Sequence, residues 1–251
     1  MKKLLLAVAV MVSALSSGAF AQWSNISVNA GANGFSNWTE SNTGTAGRFL
    51  GGSAPAGMNT SGAAGSNVSW GLWSQANDTS ASIYTFSSTL PVGGYVEIDI
   101  SLGNINTGGT VGFGLQNSAG VNRFETYYIG SDSSNTFKLN DAGGQENITG
   151  VDTSFGSSSY GSGQFQTIRF TQGASNTYTL SFDGQNVSNS GLNITASDIN
   201  RIRIFNFSSV AGQNADQFFN NLDAVPEPST YALLGLAAAG LGAHIIRRRR
   251  R

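Results

Sequence analysis

Short segments in which apolar and polar residues alternate follow one another between residues 81 and 222. In one of them, Val96, Ile98 and Ile100 share one side of an extended chain and polar groups fill the other side. This period of two predicts half-buried β-strands, and the glycine, asparagine, aspartate and serine between the segments predict turns. No useful length of the region has the 3.6-residue period of an amphipathic helix, so we expect few helices.

The same alternation predicts a series of strands along the chain. Beside residues 95–102, it marks residues 111–115, 165–170, 177–182, 201–204 and 216–222, with a hairpin turn at Asp183-Gly184 and a bulge at 205–207. The glycine- and serine-rich residues 44–67 predict a long surface loop instead.

These strands predict an all-β fold, either two antiparallel sheets packed face to face or a barrel. The length of the region and strands longer than those of immunoglobulin domains favour the antiparallel two-sheet sandwich of the jelly-roll type. We predict three parts: a signal peptide at 1–21, an extracytoplasmic β-sandwich at 22–224 and a C-terminal segment at 225–251.

The N-terminus has the three regions of a secretory signal peptide. Lys2 and Lys3 precede the apolar residues 4–15, and Ala19 and Ala21 form a small-x-small cleavage site. We expect export by the Sec machinery and cleavage by signal peptidase after Ala21. The alternative, an N-terminal membrane anchor, fits less well because the apolar run is too short to span a bilayer.

The C-terminus also has three regions in a fixed order. They are the segment 225–230, which begins with Val225-Pro226-Glu227-Pro228, the apolar residues 231–246 and the arginines 247–251. Two prolines fix φ and remove backbone donors, so the first region is extended and accessible to a protease. The 16 apolar residues make a helix of about 24 Å, which spans a ~30 Å hydrocarbon core if the arginines reach the interface. Arginines are retained in the cytoplasm, so the rest of the chain lies outside the inner membrane.

This order resembles the PEP-CTERM sorting signal of Gram-negative bacteria that make exopolysaccharide. The resemblance implies processing by exosortase, an integral-membrane cysteine protease, and a protein that is anchored transiently and then reaches the cell surface or the medium. It implies a recognition motif at Val225, Pro226, Glu227 and Pro228, a stop-transfer helix at 231–246, and retention charges at Arg247, Arg248, Arg249, Arg250 and Arg251. The alternative is a permanent single-pass anchor that is never cleaved.

Charge and residue usage exclude several classes of function. Residues 22–224 contain six basic and thirteen acidic residues, a net charge of −7. Nucleic acid phosphates repel such a domain, so we expect no nucleic acid partner. The chain has no cysteine, and its one histidine, His244, lies in the apolar tail, so histidine- and thiolate-based catalytic or metal sites are absent.

The strand that contains Glu97 and Asp99 is the candidate for a glycosidase site. These residues resemble the first part of the Glu-x-Asp-x-Glu strand of jelly-roll glycosidases, but the acid/base position holds Ser101, or Leu102 in a bulged register. A retaining glycosidase needs both carboxylates, so we expect no catalytic residue in this strand or elsewhere. We also expect no metal and no cofactor. A polysaccharide lyase or glycosidase with carboxylates from distant loops stays open as the alternative.

Aromatic residues are the candidates for a binding function. Residues 216–222 resemble the closing strand of concanavalin A-like sandwiches. Sugars bind proteins by stacking on exposed aromatic rings. The candidates for glycan binding are Trp38, Trp70, Trp73, Tyr127 and Tyr128. The alternative for each is packing in the core. Together these features predict a structural or adhesive protein that is associated with exopolysaccharide.

Overall fold

A computed structural model describes residues 25–52, 57–58, 60–61, 67–103, 105–134, 136–153, 164–209 and 214–225. The predicted signal peptide, the residues from Pro226 onward, and therefore the predicted transmembrane helix and arginine tail lie outside the described residues. Among the helices of the described part, none is long and apolar enough to cross a membrane.

Nearly all regular structure in the described part is strand. The strands are β1 (Ile26–Val28), β2 (Trp38–Glu40), β3 (Ala46–Gly51), β4 (Thr60–Ser61), β5 (Asn67–Ser74), β6 (Thr79–Thr85), β7 (Tyr95–Ser101), β8 (Thr110–Gln116), β9 (Asn122–Ile129), β10 (Lys138–Asp141), β11 (Gly144–Asn147), β12 (Gln166–Gln172), β13 (Tyr178–Phe182), β14 (Gln185–Asn186), β15 (Arg201–Phe207) and β16 (Asn214–Val225). A single turn of helix, α1 (Ala30–Asn33), is capped by the side chain of Asn29, which accepts a hydrogen bond from the Ala32 amide.

The strands form two antiparallel sheets. The large sheet has the order β14-β13-β12-β7-β16-β5-β3, with β1 paired to β16 and β4 paired to β5. The small sheet has the order β11-β10-β9-β8-β15-β6-β2. The all-β class and the two-sheet sandwich are thus confirmed, and the arrangement is consistent with a jelly roll.

The core lies between the sheets and follows from the alternation of residues along each strand. On β7, Val96, Ile98 and Ile100 are fully buried, and on β8, Val111 and Phe113 are fully buried, in one continuous apolar cluster. Burying each such side chain contributes about 1.5–3 kcal/mol to folding. The predicted turn at Asp183-Gly184 is confirmed, since both residues have positive φ (49° and 79°) and join β13 to β14.

Two details of the predicted fold are wrong. Residues 44–67 contain β3 and β4 rather than one loop. The glycines here leave room for aromatic rings: a Cβ on Gly47 would lie 3.0 Å from Trp73 Nε1, and one on Gly51 would lie 2.6 Å from Phe49 Cε2. The predicted bulge at 205–207 is also absent, because β15 pairs in regular register with both neighbours.

Asn206, the polar residue within the predicted bulge at 205–207, is instead a buried residue of the regular strand β15. Its side-chain amide donates to the carbonyl of Leu72 at 3.0 Å, and its Oδ1 accepts from Ser74 Oγ at 3.1 Å. These bonds link the small sheet to β5 of the large sheet through the core.

A bulge lies in β16, where the register against β7 shifts between Asn220 and Asp223. Asn221 adopts a φ of 50° there. The shift turns the side chain of Asn220 into a fully buried position. Its Oδ1 accepts from the Ala30 amide at 2.8 Å, and its Nδ2 donates to the Met58 carbonyl at 2.7 Å.

We expect Asn220→Ala to lower the free energy of unfolding by about 3 kcal/mol, because it leaves the buried Ala30 amide and Met58 carbonyl without a partner. Urea denaturation followed by tryptophan fluorescence measures the change. Asn186→Ala, which removes an exposed amide from β14, is the matched control and is expected to change stability by less than about 0.5 kcal/mol. Equal effects of the two changes would contradict the structural role of Asn220.

Candidate functional site

The outer face of the small sheet is organised by two glycines on β8. Val111, Phe113 and Leu115 point into the core, so Gly112 and Gly114 point outward. A Cβ on Gly112 would lie 2.0 Å from the Thr126 carbonyl oxygen, so the backbone of β9 leaves no room for any other residue there. The central strand of this face therefore carries no side chain at two successive outward positions.

The neighbouring strands place side chains on both sides of these glycines. Gly112 is paired with Tyr127 on β9 and with Phe205 on β15. The two aromatic rings approach across the strand, with centroids 6.5 Å apart. Gly114 is paired in the same way with Glu125 and Arg203. We call the surface formed by Glu125, Tyr127, Arg203 and Phe205 the Tyr127 face.

The charged groups of the Tyr127 face are partly desolvated. The Arg203 guanidinium carbon lies 4.8 Å from the centroid of the Phe205 ring, and burial lowers the pKa of Arg203 while the Glu125 carboxylate raises it. Burial raises the pKa of Glu125, an effect that the Asn140 hydrogen bond, the charge of Arg203 and the Asn122 hydrogen bond oppose. Asn122 donates to Glu125 Oε1 at 2.6 Å.

Amides complete the polar rim of this face. The Tyr127 hydroxyl donates to Gln145 Oε1 at 2.8 Å, and Asn140 Nδ2 donates to Glu125 Oε2 at 3.4 Å. The face thus combines a partly exposed phenol ring with a carboxylate, a guanidinium and several amides. These groups together can hydrogen-bond to the hydroxyls of a sugar while the ring packs against its apolar side.

Three of the five aromatic candidates are core residues, and their interpretation as sugar-stacking residues is wrong. Trp38 and Trp70 pack edge to face with centroids 4.9 Å apart, and Trp70 is fully buried. Tyr128 is 3% exposed and packs against Phe137. Each lies on the inner side of its strand, where the period of two directs it to the core.

The other two candidates keep an exposed part but lie on opposite sides of the sandwich. Tyr127 belongs to the small sheet, and Trp73 lies over Gly47 on the outer face of the large sheet. The structure therefore does not bring the candidates together into one aromatic platform.

Glu97 and Asp99 also lie on the outer face of the large sheet, where neighbouring side chains hold them. Arg169 Nε lies 2.7 Å from Glu97 Oε2 in an ion pair. Asp99 accepts hydrogen bonds from Thr167 at 2.6 Å and Asn221 at 2.7 Å. Burial raises the pKa of Asp99, and these two hydrogen bonds lower it.

The described residues contain no group of three or more histidine, cysteine, aspartate or glutamate side chains that could hold a metal ion. Asp141, at the end of β10, is held by hydrogen bonds within the protein: its Oδ2 accepts from the Tyr178 hydroxyl at 2.7 Å, and its Oδ1 accepts from the Gly143 amide.

The end of β16 is where the predicted sorting motif begins. Val225, the first residue of that motif, is paired with Tyr95 of β7, and Ala224 is paired with Ile26 of β1. The beginning and the end of the sandwich therefore lie side by side in the large sheet, directly before Pro226.

Comparison with known families decides the nature of this terminus. Residues 224–251 match the PEP-CTERM protein-sorting motif. The predicted resemblance is confirmed. A PEP-CTERM motif implies export, transient anchoring through the C-terminus and exosortase as the processing partner.

Solved structures resemble the sandwich with low sequence identity. The globular domain of T. cruzi calreticulin has a TM-score of 0.52 at 10% identity and covers 91% of this chain and 99% of its own. The cellulose-induced protein Cip1 has a TM-score of 0.48 at 13% identity, and Bacillus licheniformis β-glucanase one of 0.43 at 12%; each alignment covers 76% of this chain and 92% of the other. The first likeness supports the two-sheet architecture and extends no further than the fold. No curated protein sequence that was searched matches the chain.

The sequence analysis missed four of the residues around Tyr127: Gly112, Glu125, Arg203 and Phe205. The alternation of glycine with apolar residues in β8, and of arginine with isoleucine in β15, marks the outward positions. The pairing of β8 with both β9 and β15, which brings these positions together, is a tertiary property that the local pattern does not contain.

The raised pKa of Glu125 gives stability a defined pH dependence. The folded state keeps a proton on Glu125 above the ordinary pKa of 4.5. This contribution to stability is complete below that value and is lost as the pH rises through the raised pKa. We therefore expect Glu125→Gln to raise the urea midpoint at pH 7, with the gain shrinking toward pH 4.5.

The matched control is Glu146→Gln, which removes the same charge from an exposed position on β11. Urea midpoints measured from pH 4 to pH 8 compare the two variants. A Glu125→Gln gain that is the same at all pH values would contradict a raised pKa as its cause.

Proposed function

We propose that the chain is an exported protein whose sandwich binds exopolysaccharide at the cell surface or in the extracellular matrix, in a structural or adhesive role. The PEP-CTERM motif supports export and exosortase processing. The observation that carries the binding function is the Tyr127 face, where a partly exposed ring adjoins a carboxylate, a guanidinium and amides.

The chemistry of this face suits a polyhydroxylated ligand. Sugar rings have an apolar side that packs against an aromatic ring, and their hydroxyls both donate and accept hydrogen bonds. Glu125 and Gln145 offer acceptors, and Arg203 and Asn140 offer donors, around the same ring of Tyr127. The face lies on strands rather than on loops, so its groups are held in place before a ligand binds.

The proposal includes no catalytic role. Glu97 is paired with Arg169 and Asp99 is hydrogen-bonded to Thr167 and Asn221, so both carboxylates have structural partners on the face opposite Tyr127. A glycosidase needs two carboxylates that face one glycosidic bond. The alternative enzyme would show itself by release of reducing ends from the host's polysaccharide, which we expect to be absent.

Only a short segment separates the sandwich from the predicted helix. Residues 226–230 separate Val225 from the apolar stretch that begins at residue 231. Five extended residues reach at most about 17 Å. Before processing, the sandwich is therefore held against the membrane surface, where an integral-membrane protease can reach the residues that follow β16.

We expect the mature protein from its own host to begin at Gln22 and to end near Pro228. Intact-mass spectrometry of the protein from strains with and without exosortase checks both ends. In the strain without exosortase, we expect a larger mass that includes residues 229–251. If that larger mass occurs in both strains, the chain has a permanent anchor and the processing proposal is wrong.

We expect Tyr127→Ala to weaken binding to the host's exopolysaccharide about tenfold, which corresponds to ~1.4 kcal/mol. Tyr127→Phe, which keeps the ring and loses the hydrogen bond to Gln145, is expected to bind nearly as well as the unchanged protein. Isothermal titration calorimetry measures the affinities. Trp73→Ala is the matched control on the opposite face, and a loss of binding in that variant alone would move the site to the large sheet.

A further inference from the structure

The few cations of the sandwich divide into two groups. Four of the six basic residues between residues 22 and 224 form ion pairs within the described part of the chain. The pairs are Arg48–Glu40 (3.4 Å), Arg123–Asp198 (2.7 Å), Lys138–Asp132 (2.6 Å) and Arg169–Glu97 (2.7 Å). Arg201 and Arg203 form no ion pair with any described residue, although acidic residues outnumber basic ones.

These two arginines lie next to each other on the outer face of the small sheet, where Arg203 belongs to the Tyr127 face and Arg201 adjoins it. They alternate on β15 with Ile202 and Ile204, which are fully buried in the core, so both guanidinium groups are directed outward. Two positions along a strand are about 6.7 Å apart. Two groups at that spacing can bind one anionic group together or two neighbouring groups on a polymer.

Arg201 also has an unused hydrogen-bonding group beside an unused acceptor. Its Nε is buried and has no hydrogen-bond partner within the described residues. Gln116 is paired with Arg201 across the strands, and its Oε1 is likewise buried without a described partner, although its Nε2 donates to Asn122. Within the described residues, this donor and this acceptor thus belong to paired residues but are not hydrogen-bonded to each other.

We propose that Arg201 and Arg203 bind an acidic polysaccharide through the carboxylates of its uronic acid units. This inference rests on the proposed glycan-binding function and names the class of glycan. A carboxylate supplies acceptors for the guanidinium groups, in the geometry that arginine favours.

The surroundings of the two arginines also define how binding depends on charge. Glu125 is the carboxylate whose charge acts on Arg203, and it opposes an incoming anion. The sandwich as a whole is negative, so a polyanion is attracted only locally. Glu125→Gln removes this opposing charge and is therefore expected to increase the affinity.

The test measures binding of the full chain, kept in a nonionic detergent, to three polymers: polygalacturonate, which carries carboxylates, dextran sulfate, which carries sulfates, and dextran, which is neutral. We expect the tightest binding to polygalacturonate.

Arg201→Gln and Arg203→Gln are each expected to weaken the binding to polygalacturonate about tenfold. Arg169→Gln removes the same charge from the other side of the sandwich and is expected to change it less than twofold. Circular dichroism confirms that each variant is folded.

Each other outcome contradicts a definite part of the proposal. Tight dextran binding that both arginine variants keep would leave glycan binding intact and overturn the acidic class. Preference for dextran sulfate would overturn recognition of carboxylates. Equal losses in Arg169→Gln would show nonspecific attraction rather than a site. Binding to none of the polymers, nor to the host's exopolysaccharide, would overturn the proposed function as well.

Discussion

The last described strand, β16, lies in the middle of the large sheet, and the buried amide of Asn220 fixes its position. β16 pairs with β7 on one side and with β5 and β1 on the other, so the strands on both sides depend on its register. A shift by one residue would take Asn220 away from the Ala30 amide and the Met58 carbonyl, and would turn Phe219 out of the core. Because buried polar groups require partners, a single arrangement of this strand is strongly favoured over its neighbours.

The two outer faces of the sandwich differ in how they use charge. On the large sheet, carboxylates meet a guanidinium, hydroxyls and amides, so their hydrogen-bonding capacity is satisfied within the protein. On the small sheet, Gly112 and Gly114 carry no side chain on the outer face. Side chains from β9 and β15, which lie on either side of β8, approach each other above these glycines. The guanidinium groups there keep donors that the described protein groups do not use. The carboxylates of the large-sheet face are therefore held by partners within the described protein, whereas the guanidinium groups of the small-sheet face have hydrogen-bonding capacity left over.

The alternation of apolar and polar residues predicted β7, β8, β12, β13, β15 and β16 correctly, because a half-buried strand needs a period of two. The prediction failed at glycine and asparagine residues that have a structural role inside a strand. Gly47 and Gly51 resemble loop residues in sequence, yet they lie on β3 and make room for the rings of Trp73 and Phe49. Asn206 interrupts an apolar run, yet it forms hydrogen bonds across the core. The sequence also identified aromatic residues without showing which side of a strand carried them inward, so Trp70 and Tyr127 looked equivalent.

The pairing of Ile26 with Ala224 joins nearly the first and nearly the last residue of the sandwich. Contacts between such distant residues form late, since the whole intervening chain must be ordered around them. During export, the large sheet therefore cannot close until the final strand has emerged on the far side of the membrane. The PEP-CTERM motif begins at the end of this same strand, so the large sheet is completed only when the residues next to the motif have been exported.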